Sequence, residues 1–149
     1  MLPSFENIIG KICQRDWKIE MRQHHHKKTM VVRLQMLNRV AVILRPKAPL
    51  LAWLKSIPDL QMGDMTLDEL RSDDQTVFLL PDYDYFDDTR AHLKKIFKPL
   101  FEAELEEWWR NPDDYPENMT YEMFDEWFDV ELNSMVVDTT GNDFEVMDL

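Results

Sequence analysis

From Leu37 onward, apolar and polar residues fall into blocks whose spacing predicts a regular succession of elements. Arg39-Val40-Ala41-Val42-Ile43-Leu44 is short, β-branched and almost continuously apolar before Arg45-Pro46, the pattern of a strand buried on both faces. Between Lys47 and Ile57, Leu50, Leu51, Trp53, Leu54 and Ile57 recur at helical spacing, and Pro58 stops the run. Thr66-Leu67-Asp68-Glu69 matches a capping box and predicts the start of a short helix. Thr76-Val77-Phe78-Leu79-Leu80, ended by Pro81, reads as a second buried strand.

The longest predicted helix follows, with Asp87 or Asp88 as its cap. Leu93, Ile96, Phe97, Leu100, Phe101, Leu105, Trp108 and Trp109 trace one face of it, and Pro99 inside it removes a backbone donor and predicts a kink. Asn111 to Pro116 is a loop. Thr120 then caps a helix that turns Met123, Phe124, Trp127 and Phe128 inward, and Val130 to Asp138 predicts a third strand. Helices between successive strands favour parallel pairing. The expectation is an α/β (or α+β) fold with a small three-stranded, largely parallel sheet packed by three to four helices.

Residues 1–35 differ from this pattern. They are weakly periodic and basic, and contain His24-His25-His26-Lys27-Lys28, with Met30 and Met36 after that run. They are expected to be a disordered extension or an over-called start, residues 36–140 a single domain, and residues 141–149 a loose acidic tail. A domain of this size buries a substantial core, and five Trp, eight Phe and four Tyr supply packing material without disulfides. A single cysteine, Cys13, suits a reducing compartment. There is no apolar run long enough to span a membrane and no ordered signal-peptide pattern, so the expected location is the cytoplasm.

Charge changes the picture more than size does. The net charge is −12, divided into +4 over residues 1–37 and −16 over the rest. Such a field repels nucleic-acid phosphates and anionic membranes and attracts basic protein surfaces, so neither direct nucleic-acid binding nor membrane association is expected. Acidity that merely maintains solubility is the plainer account.

Several chemistries can be weighed on their residues. In open α/β sheets, ligands bind beyond the carboxyl ends of strands, where this chain places Arg45 and Lys47 after the first strand and Asp82 and Asp84 after the second. These four form a candidate ligand or metal site, set against simple surface pairing of the same charges. Asp82-Tyr83-Asp84-Tyr85-Phe86-Asp87-Asp88 fails the EF-hand pattern, with Phe86 at a ligand position and Asp87 where glycine is required. The three adjacent histidines do not converge on one ion. His92, the one other histidine, is expected to face solvent, and Cys13 has no credible His partner. With only Gly10, Gly63 and Gly141, the chain has no glycine-rich phosphate loop, and no cofactor is expected.

The most unusual stretch runs from Glu102 to Phe128. Glu104, Glu106 and Glu107 beside Trp108 and Trp109, with Tyr115 following, combine aromatic anchors with an acidic rim, which suits a basic protein partner. Aromatics at helical spacing also serve as core, and adjacent tryptophans are hard to bury together.

Leu37-Asn38-Arg39-Val40-Ala41-Val42-Ile43 through Arg45-Pro46-Lys47 and Trp53-Leu54, with Glu102 to Trp109 and Trp127-Phe128-Asp129 leading into Ser134-Met135-Val136, resembles short acidic bacterial proteins described as uncharacterised. The resemblance spans about residues 37–138. It implies a bacterial, cytosolic, single-domain protein and brings no activity or catalytic residues. The expected function is a non-enzymatic protein-binding or regulatory domain acting through its acidic, aromatic C-terminal half, inhibitor- or immunity-like in one form. The alternative is a small metal- or ligand-binding enzyme using the strand ends.

Overall fold

The periodic blocks become elements close to their predicted bounds. The computed structural model describes residues 16–23, 26–73, 75–140 and 143–147. In chain order the elements are β1 (Asp16–Gln23), β2 (His26–Arg33), β3 (Gln35–Leu37), β4 (Arg39–Pro46), α1 (Ala48–Ser56), α2 (Leu67–Ser72), β5 (Val77–Pro81), α3 (Phe86–Trp108), a 3-10 turn (Pro112–Asp114), α4 (Tyr121–Trp127), β6 (Phe128–Asn133) and β7 (Val136–Asp138). Residues 39–134 form one unit, and the described residues before and after them form another. In the latter, β1 and β2 make an antiparallel hairpin with Gln23 opposite His26, and β3 pairs antiparallel with β7. Cys13, His24 and His25 lie outside the described residues.

Local chemistry accounts for the helix starts. Pro49 sits in the first turn of α1, where its missing N–H costs nothing. Thr66 and Glu69 complete the reciprocal capping box of α2, and the Thr120 hydroxyl accepts from the Met123 N–H at 3.2 Å to cap α4. The long helix departs from expectation at its start: Tyr85 is its N-cap and offers no side-chain bond, while Asp87 and Asp88 lie in the first turn, where the helix dipole favours them. The helix continues across Pro99.

The sheet corrects the expected fold class. Its order is β5-β4-β6 and both pairings are antiparallel, so the architecture is α+β, without the largely parallel sheet that the alternation of elements predicts. Two helical segments, rather than one crossover helix, fill the β4–β5 connection, with a turn at Gly63 (φ 53°) between them in the left-handed region that favours glycine. The chain therefore re-enters the sheet at the end it left, with Val77 opposite Ile43 and Pro81 opposite Arg39. α4 passes directly into β6, whose Phe128 lies opposite Pro46 at that same end. The predicted third strand also divides: residues 128–133 pair with β4 and residues 136–138 with β3.

Register assigns each side chain to a face. Val40, Val42 and Leu44 of β4 share the inner face with Phe78 and Leu80 of β5 and with Phe128, Val130 and Leu132 of β6. Against it lie Leu50 and Leu54 of α1, Leu70 of α2, Leu93, Leu100, Phe101 and Leu105 of α3, and Phe124 and Trp127 of α4, all buried in one core. Phe101 is its hub, fully buried and edge-on to Phe124, Trp127 and Phe128 at ring-centroid distances of 5.8, 5.3 and 5.4 Å. The outer face carries Ala41, Ile43, Arg45, Val77, Leu79, Asp129, Glu131 and Asn133.

Candidate functional site

The aromatic and acidic stretch after Glu102 is largely turned inward. Trp109 donates its indole N–H to Asp114 Oδ2 at 2.7 Å, and Asn111 Nδ2 donates to the same oxygen at 2.8 Å. The Trp53 indole donates to the Asp114 carbonyl at 3.3 Å, and the Tyr115 hydroxyl donates to the Trp109 carbonyl at 2.7 Å. Tyr115 also packs edge-on to Trp53, with centroids 6.1 Å apart. Together these bonds close the turn between α3 and α4 around Asp114. Burial, followed by the charges of Glu106 and Glu102, pushes the Tyr115 phenol up. Trp108 and Trp109 are both partly buried, which is how adjacent tryptophans are accommodated, and Trp108 packs on the core. Of the six residues singled out in this stretch, only Glu106 and Glu107 are exposed.

Glu104 is the exception among its acidic neighbours. It lies on the stripe of α3 that holds Leu100, Phe101 and Leu105, is only 6% exposed, and its Oε1 has no hydrogen-bond partner. Burial, with a smaller contribution from Glu107, raises its pKa to about 7. The 3.6-residue period places position 104 on the face of positions 97, 100 and 108, a signal masked by the acidic run around it.

The strand-end constellation is not assembled. Because β5 runs against β4, Asp82 and Asp84 leave the sheet beside Arg39, whereas Arg45 and Lys47 stand at the other end. Six residues of strand separate those ends, roughly 20 Å. Arg45 Nε meets Glu131 Oε2 at 2.8 Å across the outer face, and that hydrogen bond, then one from Asn133, holds the Glu131 carboxyl below its ordinary range. Lys47 donates from Nζ to the Asp125 carbonyl at 2.6 Å and from its backbone N–H to the Trp127 carbonyl at 2.8 Å, tying β4 to the end of α4. No group of three His, Cys, Asp or Glu side chains able to hold a metal occurs among the described residues. His92, expected in solvent, is half-buried, with Nδ1 2.9 Å from the Tyr83 hydroxyl.

A different surface emerges on β5 and the loop after it. The run Thr76–Leu80 reads as buried on both faces, but β5 is an edge strand whose outer face is open. Val77 is 53% exposed and Leu79 51%, while Leu80 is buried. Tyr83, Tyr85 and Phe86 follow at 37%, 72% and 51% exposure. Within residues 39–134, these five are all of the exposed large hydrophobic side chains. Interleaved with them are Asp82, Asp84, Asp87 and Asp88, all exposed, and no Lys or Arg occurs between Arg71 and Arg90. None of the four carboxylates makes an ion pair among the described residues. The aspartate-tyrosine run carried the signal, but its acids point first to metal binding. The exposure of Val77 and Leu79 is a property of strand position that no spacing reports.

Compared with known proteins, the chain matches no family model, no curated protein and no solved structure. No helix among the described residues is long and apolar enough to cross a membrane.

Proposed function

We propose that the chain is a non-enzymatic, cytoplasmic protein-binding domain that recognises a basic protein through the surface from Val77 to Phe86. One observation carries this reading: every exposed large hydrophobic side chain of the 39–134 unit falls within the ten residues 77–86, which also hold the unpaired Asp82 and Asp84 and are followed directly by the unpaired Asp87 and Asp88. Apolar side chains kept in water cost stability unless another surface covers them, and a gathered set marks an interaction site more often than scattered ones do. The carboxylates supply the long-range part. Over residues 99–149 the sequence has sixteen Asp and Glu against the single Arg110, so the field steering a basic partner extends well beyond the contact itself. Glu106 and Glu107 belong to that steering field, while Trp108, Trp109 and Tyr115 hold the scaffold. Inhibition of a nucleic-acid-binding protein is one form such recognition takes, because an acidic surface competes with phosphate for the same cationic groove.

The test immobilises the full chain and its Asp82→Lys/Asp84→Lys variant, exposes both to lysate, and washes at low and then high salt. A stoichiometric basic protein held by the unsubstituted chain, released by salt and lost on the variant, is the expected result. Protein recovery that does not distinguish the two refutes this surface as the binding site.

A further inference from the structure

The two edges of the sheet are protected unequally. β6 carries Asp129 and Glu131 on its outer face, and charge on an outer strand discourages pairing with another chain. β5 carries none from Val77 to Leu80, and its outward-facing residues are Val77 and Leu79. Its one pairing is with β4, so the amides and carbonyls on its far side belong to no ladder among the described residues. Pro81, which lacks an N–H, ends the strand, and Asp82 and Asp84 follow at once. An open apolar edge of this kind aggregates unless something blunts or occupies it.

We propose that this edge accepts an extended segment of the partner protein as an added antiparallel strand, apolar side chains lying on Val77 and Leu79 and lysines or arginines beside Asp82 and Asp84. The inference rests on the protein-binding reading above and specifies its geometry. Every pairing in this sheet is antiparallel, and in that sense the start of the added strand lies beside the end of β5. The segment therefore presents its basic residues first and its apolar residues afterwards, at alternate positions. Main-chain hydrogen bonds along the edge supply sequence-independent affinity, while the cross-strand apolar pairs and the aspartates select the segment. A second copy of β5 is a poor occupant. Asp73-Asp74 precede the strand and Asp82 and Asp84 follow it, so self-pairing sets acid against acid in either direction.

Selection of a displayed library of random decapeptides on the full chain tests the proposal. Enriched peptides are expected to carry Lys or Arg ahead of alternating apolar residues, and a synthetic consensus peptide is expected to slow amide exchange at residues 77–80. Leu79→Lys and Val77→Lys, both on the exposed face and each checked for an unchanged melting temperature, are each expected to weaken that peptide by more than about tenfold. A selection without basic-then-alternating sequences, or binding indifferent to both lysine substitutions, overturns strand addition. If Asp82→Lys/Asp84→Lys weakens the peptide and the β5 lysines do not, strand addition fails while the protein-binding reading stands. If none of the substitutions matters, both fail. A dimer in sedimentation equilibrium that Leu79→Lys abolishes gives the edge to a second copy and likewise overturns the proposal.

Discussion

Replacing Glu104 by glutamine isolates the energetic cost of one buried carboxylate. The side chain is almost fully enclosed, its Oε1 lacks a partner, and its pKa stands at about 7 against an ordinary 4.5. Because the folded value is the higher one, the group does not affect stability below about pH 4.5, where both states hold the proton. Between the two values the unfolded chain ionises while the folded chain keeps its proton, so stability falls as pH rises, and above about pH 7 the penalty levels off. A rise of that size corresponds to about 3 kcal/mol at the plateau, of which roughly 2 kcal/mol develops between about pH 5.5 and 8, above the isoelectric region. Glu104→Gln keeps the shape and cannot ionise. Its stability relative to the unsubstituted protein is therefore expected to improve by roughly 2 kcal/mol over that pH range, whatever constant offset the buried amide contributes. Urea denaturation followed by tryptophan fluorescence at several pH values measures the difference, and carboxylates common to both proteins cancel in it. A difference that stays flat with pH refutes the reasoning, because it would mean that Glu104 is hydrated or paired in solution.

Two further substitutions probe the scaffold that presents the surface. Phe101→Ala removes the ring at the centre of the aromatic core, where no exposure remains, and is expected to cost about 3–5 kcal/mol in a urea titration. Asp114→Ala removes the acceptor shared by the Trp109 indole and the Asn111 amide. A loss of about 1 kcal/mol and a change in the near-ultraviolet tryptophan circular dichroism are expected, because this solvent-exposed turn recovers part of each bond from water.

Legibility differed by element and by kind of information. The capping box at Thr66–Glu69, the Thr120 cap and the stripe of α3 are written in residues within one turn of each other, and all appear where their spacing predicts. The division of the last predicted strand at Ser134 is different, because the two halves pair with β4 and β3, far away in sequence. Trp109 and Tyr115 show the same limit in the candidate site. Their chemistry suits an exposed anchor as well as an internal one, and the hydrogen bonds through Asp114 decide between them.

Short-range physics explains why element types were readable before any fold was known. Helical and strand periods, caps and proline stops act within a few residues, and net charge is additive along the chain. Strand direction, the sharing of a face and the exposure of an edge are relations between distant segments, and only the folded chain sets them. β5 shows both sides of that division: its apolar residues predict a strand, and its place at the sheet edge leaves Val77 and Leu79 in water. The reversal of β5 against β4 likewise parts Asp82 and Asp84 from Arg45 and Lys47, because two helical segments return the chain to the end of the sheet it had left.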